Sequence, residues 1–239
     1  MENKFLMIPH KFFEEIEGVG VTPFYQIGTE GFTVWSYLLM TQGSGVIAQT
    51  SIKRIKAFLN RGKESNSKQK SKKGLSDART IKKYLKALQR IDAIEIDIGT
   101  IENARADEEL FIKVNSCLNE NEGFSRISTQ LFFDYVHKWG HIGWSIYCLL
   151  YKLHNSTFGS DTSFGFANPS REFIGKIIKR HESTISEYVN SFPKSVVKVE
   201  QQECLTYFNA IKNQEEQKQE SNHYIVWAKV DPSNKYYVQ

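Results

Sequence analysis

The sequence predicts an α+β fold in which one unit of three helices and a two-stranded hairpin occurs twice. Three observations lead to this prediction. The chain repeats its glycine and apolar pattern, several segments place apolar residues at helical spacing, and short segments alternate apolar and charged residues as strands do. The 239 residues are 40% hydrophobic and 24% charged, which is a composition that supports a folded core. We expect two tandem domains, residues 1–119 and 120–239.

The repeat is carried by several blocks that occur in the same order in both halves. Gly28 and Gly31 match Gly140 and Gly143, which lie 112 positions later. The offset changes along the chain because the first copy has an insertion at 62–75 and the second has a longer loop at 155–165. The later blocks pair Ala48 with Ala167, Ser51 with Ser170, Ile55 with Ile174, Thr80 with Thr184, and Tyr84 with Tyr188.

The first copy contains three segments with helical periodicity. Val34, Leu38 and Leu39 predict a helix that ends at the glycines after Gln42. Thr50 and Ser51 can cap a second helix from Ile52 to Arg61. Ser76 or Asp77 caps a third, which runs to about Arg90. Its expected buried stripe is Ile81, Tyr84, Leu85 and Leu88.

A hairpin is expected to follow the third helix. Ile94, Ile96 and Ile98 alternate with Glu95 and Asp97, so the segment from 91 to 98 predicts a half-buried strand. The segment 110–114 is its expected partner, and 99–109 is then the hairpin tip. The acidic run 107–109 would be a solvated part of that tip.

The second copy predicts the same order of elements. Helices are expected at 144–153, 170–179 and 183–192, followed by a strand at 196–200 with a partner at 224–230. The intervening segment 201–222 is rich in Gln, Glu and Lys. Its composition leaves open a β wing or a helical insertion.

Positive charge is concentrated in one part of the chain. The formal net charge is only +4. From Lys53 to Arg90, however, fourteen lysines and arginines face two acids, which gives +12 within 38 residues. Charge concentrated in this way attracts a phosphate backbone. The third helix of the second copy is less basic, since Ser183, Ser186, Glu187 and Asn190 are expected on its outer face.

The order of helix, helix, helix and hairpin resembles the winged-helix fold. The segment Ser-Asp-x-x-Thr-Ile-x-x-Tyr-Leu-x-x-Leu at 76–88, followed by Ile-x-Ile, resembles the recognition helix and wing entry of bacterial winged-helix proteins. This resemblance implies two tandem winged-helix domains, with each recognition helix in the major groove of double-stranded DNA and the wing along the backbone.

Two winged helices in a chain of this size also resemble plasmid and phage replication initiators that bind repeated origin sites. The opening Phe5-x-x-Ile8-Pro9 before an aromatic segment is similar to initiators of Gram-positive bacteria. A transcriptional regulator of the same architecture is the alternative, and a protein-interaction adaptor is the alternative from another class. A homodimer is a further partner that this architecture allows.

The candidate DNA contacts are the basic and small polar residues of helices two and three in each copy, together with the basic insertion. Arg79 and Thr80 lie nearest the start of the first recognition helix, so they are expected at base edges. The full set is Lys53, Arg54, Lys56, Lys68, Lys70, Lys72, Lys73, Arg79, Thr80, Lys82, Lys83, Lys86, Lys176, Lys179, Arg180, Ser183, Thr184 and Ser186.

Catalysis, a cofactor and a membrane are not expected. The sequence has no phosphate-binding loop and no nucleophile elbow. It also has neither a long apolar run nor a signal-peptide pattern, so a cytoplasmic location is expected. His137 and His141 have a metal-ligand spacing without a third ligand, and we interpret them as structural. The Phe12-Phe13 and Phe132-Phe133 pairs are expected to pack in the core.

Overall fold

The computed structural model shows an α+β protein made of helices and small antiparallel sheets, as the composition and periodicity predict. The residues that the structure describes contain seven α-helices. None of the helices in these residues is long and apolar enough to cross a membrane. The described residues are 5–15, 21–42, 45, 47–60, 77–115, 123–157, 167–200, 204–209, 214–219 and 222–226.

The described residues of the first half contain four helices and four strands. Three of the helices confirm the sequence prediction, although the first begins earlier than expected, at Pro23. A short 3-10 turn at His10–Phe13 buries Phe12 and Phe13 against the first helix. The elements are β1 (Phe5–Pro9), α1 (Pro23–Gln42), β2 (Ile47–Thr50), α2 (Ile52–Asn60), α3 (Ala78–Arg90), β3 (Ile94–Glu95), α4 (Ile98–Asn103) and β4 (Leu110–Val114).

Three short strands of this half form one antiparallel sheet in the order β2-β4-β3. Ala48 lies opposite Ile112, and Ile94 lies opposite Val114. These four side chains are buried, and they close one end of the core formed by α1, α2 and α3.

The predicted strand from 91 to 98 is confirmed only at Ile94–Glu95, because residues 91–93 form a turn and helix α4 begins at Ile98. Asp97 is the N-cap of α4, and its carboxylate accepts the backbone N–H of Thr100 at 2.7 Å. Ile101 is fully buried and anchors the helix. The segment expected to be an extended hairpin tip is therefore partly helical, while the acidic residues at 107–109 are exposed as expected.

The second half repeats this order with a longer β region. Ala167 forms a single antiparallel bridge with Tyr224 in the last strand, so the strand order corresponds to that of the first half. Ala167 is also the residue that the sequence repeat pairs with Ala48. The elements are β5 (Phe124–Ser128), α5 (Thr129–Thr157), α6 (Arg171–Ile178), α7 (Glu182–Ser191), β6 (Val197–Glu200), β7 (Cys204–Asn209), β8 (Gln214–Gln219) and β9 (His223–Val226).

The segment for which the sequence left two alternatives contains strands. β7 and β8 pair antiparallel, from Cys204 opposite Gln219 to Asn209 opposite Gln214. They lie between β6 and β9, which pair with each other. The second half therefore carries an additional pair of β strands, whereas the first half has helix α4 at the corresponding place in the chain.

The two halves share two unusual glycine geometries. Gly28 bends α1 with φ 69° and ψ −177°, and Gly140 bends α5 with φ 66° and ψ −165°. A side chain would strain the backbone at these positive φ angles, so glycine is favoured at both positions. Three residues later, Gly31 and Gly143 provide room for an aromatic ring. A Cβ on Gly31 would lie 3.2 Å from Tyr84, and one on Gly143 would lie 3.4 Å from Tyr188.

The halves pack against each other through an extensive common core. β1 pairs antiparallel with β5, and Met7 lies opposite Arg126 at the centre of the ladder. β1 is the first strand of one half and β5 is the first strand of the other, so these two strands pair as equivalent strands do across a two-fold axis. Helices α1 and α5 also pack together, and the buried Trp144 indole donates a hydrogen bond to Ser36 Oγ at 2.9 Å. Phe132 is fully buried as expected and stacks on Phe58.

Candidate nucleic-acid interface

Helix α3 is positioned by its cap and its buried stripe. The carboxylate of Asp77 accepts the backbone N–H of Arg79 at 3.1 Å, which satisfies a donor of the first turn. This identifies Asp77, rather than Ser76, as the cap. The buried residues of the helix are Ile81, Leu85 and Leu88.

The opposite face of α3 carries exposed cations. Arg79, Lys83 and Arg90 lie at i, i+4 and i+11, so they follow one line along the helix, and all three are exposed. Thr80 is partly buried beside Arg79. Arg90 was not among the candidates from the sequence, although its spacing from Lys83 gives it the same face.

Two candidate lysines on α3 are only partly exposed to solvent, and both contact α4. Lys86 forms an ion pair with the carboxylate of Glu102, and Lys82 Nζ donates to the backbone carbonyl oxygen of the same residue at 2.9 Å. The Glu102 carboxylate is held next to the basic face, and the hydrogen bond from Lys86, together with its charge, lowers the pKa of Glu102. One flank of α3 is therefore partly neutralised within the chain.

Helix α2, which packs against α3, carries a second group of cations. Lys53 and Lys56 are exposed, and Arg54 is exposed but lies 3.5 Å from a carboxylate oxygen of Glu109. The backbone N–H of Lys53 donates to Ala106 O at 2.7 Å, so the connection before β4 covers the start of α2. Lys68, Lys70, Lys72 and Lys73, the candidates from the insertion, lie outside the described residues.

The corresponding face of the second half has little positive charge. Helix α7 contains Glu182 and Glu187 and no lysine or arginine. His181 is its N-cap and accepts the backbone N–H of Ser183 through Nδ1 at 3.2 Å. Among the remaining candidates, Ser183 is exposed, whereas Thr184 and Ser186 are partly buried.

The candidate cations of the second half lie near the end of α6 and in the turn that follows it, and two of them contact the first half. Lys176 is exposed and pairs with Glu172 on its own helix at 2.8 Å. Lys179 donates to Tyr25 O at 2.9 Å, and its ammonium lies over the Tyr25 ring. Arg180 Nη2 lies 4.0 Å from Glu30 Oε1.

Glu30 is the centre of a polar cluster between the halves. Thr29 Oγ1 donates to Glu30 Oε2 at 2.8 Å, and His141 Nε2 lies 3.2 Å from Glu30 Oε1. Burial alone would raise the pKa of Glu30. The hydrogen bond and charge of His141, together with the Thr29 hydroxyl, more than reverse this effect and lower the pKa from 4.5 to about 2. The carboxylate is thus ionised at neutral pH in a partly buried position.

The histidines with metal-ligand spacing do not form a metal site in the part of the chain that the structure describes. His141 contacts Glu30 instead, and no group of three or more His, Cys, Asp or Glu residues in these ranges is arranged to hold an ion. The basic surfaces of α2, α3 and the α6–α7 turn are therefore the most distinctive chemical feature of the described residues.

Comparison of the chain with known protein families, with curated proteins and with solved structures finds no match to any of them.

Proposed function

We propose that this protein binds double-stranded DNA through two winged-helix units, with α3 as the main recognition helix. The strand order β2-β4-β3, combined with a strand between the first and second helices, supports the winged-helix interpretation of the first half. The Ala167–Tyr224 bridge supports it for the second half. The single observation that carries the DNA proposal is the line of exposed cations Arg79, Lys83 and Arg90 on α3.

A basic helix with a buried opposite face suits the major groove. Its cations neutralise phosphates, and residues at its N-terminal end contact base edges. We assign the base contacts to Arg79 and Thr80, since both lie in the first turn of α3. The phosphate contacts fall to Lys83 and Arg90 on the same helix, with Lys53 and Lys56 added from α2.

For the biological role we propose initiation of replication at repeated origin sites, on the strength of the sequence resemblance. A transcriptional regulator would use the same surface, so the surface does not distinguish between the two roles. The genomic position of the selected binding site would distinguish the two roles. An array of short repeats of that site beside the gene would favour an initiator.

The test of DNA binding is fluorescence anisotropy with random-sequence duplex DNA at several salt concentrations. Four phosphate contacts predict a log–log slope of roughly −3.6 or steeper. Lys83→Ala is expected to weaken binding to all duplexes and to reduce the slope by about 1. The matched control is Lys138→Ala, because Lys138 is also exposed and basic but lies on α5, which is assigned no DNA contact.

Two results would contradict the proposal. The first is the absence of binding, and the second is binding that does not respond to salt. Either result would favour the protein-interaction adaptor, whose contacts through apolar surface do not require phosphate neutralisation.

A further inference from the structure

An acidic segment contacts both helices that carry the candidate DNA contacts of the first half. This acidic segment, residues 97–109, comprises α4 with its cap and the connection to β4. It contains five acids and one arginine, which gives a net charge of −4. Helices α2 and α3 together carry eight lysines and arginines and no acid. The charge of the segment is thus opposite to that of the helices it contacts.

The first contact of the acidic segment is with α3. Glu102 pairs with Lys86 through its carboxylate, and its backbone carbonyl oxygen accepts a hydrogen bond from Lys82 Nζ at 2.9 Å. The backbone on either side of Glu102 is anchored, since Ile101 and Ala104 are buried. The folded helix α4 therefore holds one acid beside two of the lysines of α3.

The second contact of the acidic segment is with α2. Glu109 Oε1 lies 3.5 Å from Arg54 Nη1. The backbone carbonyl oxygen of Ala106 accepts the N–H of Lys53 at 2.7 Å. This N–H belongs to the first turn of α2, where the backbone donors of a helix can bind a phosphate. The segment thus occupies one side chain and one backbone donor of α2.

These contacts are of the kinds that a DNA phosphate makes. DNA-binding proteins contact phosphates through lysine and arginine side chains and through N–H groups at helix N-termini. Carboxylate and carbonyl oxygens are acceptors for the same donors as phosphate oxygens. A cation that is paired within the chain must lose that pair before it can neutralise a phosphate. The internal pairing is therefore subtracted from what the cation contributes to DNA affinity.

We infer that the acidic segment is an autoinhibitory contact that competes with DNA phosphates for Arg54, Lys82 and Lys86. This inference rests on the proposed DNA-binding function. The segment occupies these three cations in the free protein, so DNA binds mainly through the other cations of α2 and α3. The second half has no basic recognition helix to inhibit, because α7 carries no lysine or arginine. The β7–β8 pair takes the place of α4 in that half of the chain.

The experiment removes both carboxylates of the contact in the full chain. In Glu102→Gln/Glu109→Gln, Lys86 and Arg54 become available for two additional phosphate contacts. Anisotropy titrations with random-sequence duplex DNA should give a log–log salt slope that is steeper than that of the parent by about 1.8. The affinity at low salt should rise by about five- to twentyfold. Both positions are exposed, so the fold is expected to stay intact, which circular dichroism checks.

The matched control removes the same charge from the same segment. Asp107→Asn/Glu108→Gln also eliminates two carboxylates, but neither residue forms an ion pair with a residue that the structure describes. This control should leave the salt slope unchanged and raise the affinity by less than about twofold. Equal slopes and equal gains in the two double variants would show only an effect of net charge and would overturn the inference.

A second measurement tests the competition at a single cation. Lys86→Ala should weaken DNA binding by less than about twofold in the parent, where the Glu102 carboxylate occupies the lysine, and by at least about fivefold in Glu102→Gln. Lys83 is exposed on the same helix and lies outside the contact, so Lys83→Ala should have the same effect in both proteins.

Two outcomes of this comparison are decisive. Equal losses from Lys86→Ala in the parent and in Glu102→Gln would rule out the competition, even if both proteins bind DNA well. Failure of the parent and of every variant to bind any duplex would instead refute the proposed function.

Discussion

The recognition helices proposed for the two halves share one buried contact and carry opposite charge. Helix α3 carries five cations and no acid between Ala78 and Arg90, whereas α7 carries two acids and no cation. Both helices nevertheless place a tyrosine against a glycine of the preceding long helix. The buried contacts are needed for the fold of each half, while the outer face is free to vary. Charge on that face therefore differs between the halves without a change in these buried contacts.

The comparison extends to the segments next to these helices. In the first half, α4 packs beside α3 and Glu102 contacts two of its lysines. In the second half, the β7–β8 hairpin occupies the corresponding place in the chain. Helix α3, the more basic of the two, is thus partly covered by α4. Helix α7, the less basic one, is followed in the chain by the β7–β8 pair. The predictions below test how far this division between the halves holds.

The largest effect is expected from removing a side chain that joins the halves. Trp144 is fully buried, and its indole donates to Ser36 in the other half. Trp144→Ala should lower the free energy of unfolding by about 3–5 kcal/mol. Because the core is shared, urea denaturation followed by circular dichroism should still show one transition for the whole chain. Two separate transitions in the parent protein would show that the halves fold independently.

The next effect concerns the charge difference at equivalent positions. Lys83 on α3 corresponds to Glu187 on α7 in the sequence repeat, and both are exposed. Lys83→Glu removes an attraction to phosphate and adds a repulsion, so DNA affinity should fall at least about tenfold at low salt. Glu187→Lys should raise it by only about two- to fivefold, because the second half has few other cations. Anisotropy titrations measure both variants.

Equal and opposite changes in DNA affinity in Lys83→Glu and Glu187→Lys would contradict the proposed difference between α3 and α7. That outcome would mean that α3 and α7 approach the duplex equally closely. Circular dichroism spectra of the two variants serve as the control, since both positions are exposed and the fold is expected to stay intact.

A smaller effect is expected from the contact between α4 and α3. Glu102→Gln removes the carboxylate that pairs with Lys86, so the lysine becomes available to phosphate. We expect DNA affinity to rise by about two- to fivefold, in line with the weak energies of exposed ion pairs. Glu14→Gln is the matched control. It removes the carboxylate that pairs with Lys152 of α5 at 3.1 Å, and neither residue lies on an element assigned to DNA contact. A similar gain in both variants would show only a general effect of net charge.

Much of the fold could be predicted from local patterns. Ile52, Ile55 and Phe58 form the buried side of α2, and the Asp77 cap and apolar stripe gave the start and end of α3. The alternation up to Ile98 failed because it cannot distinguish a strand from a strand followed by a capped helix. Asp97 provides that cap, and only the burial of Ile101 makes α4 favourable.

The site could be predicted less completely, because its contacts join distant parts of the sequence. The basic character of α3 is visible in the sequence, but the carboxylate of Glu102 beside Lys86 is not. Lys179 and Arg180 appeared as two more phosphate contacts. Their partners, Tyr25 and Glu30, lie about 150 residues earlier in the chain. Only the packing of the halves reveals that these cations also hold the molecule together.

The smallest effect is a pH dependence of the unfolding free energy, which arises from Glu30 at the contact between the halves. The pKa of Glu30 is lowered from 4.5 to about 2 in the folded protein, so its ionised form favours folding. That contribution is fully present above about pH 5 and is lost as the pH falls towards 2. The difference in unfolding free energy between the parent and Glu30→Gln, measured by urea denaturation, should therefore shrink between pH 5.5 and 3.

Glu187→Gln, on the exposed face of α7, controls for the loss of a carboxylate. A difference that stays constant with pH would show that the Glu30 carboxylate does not stabilise the junction of the two halves.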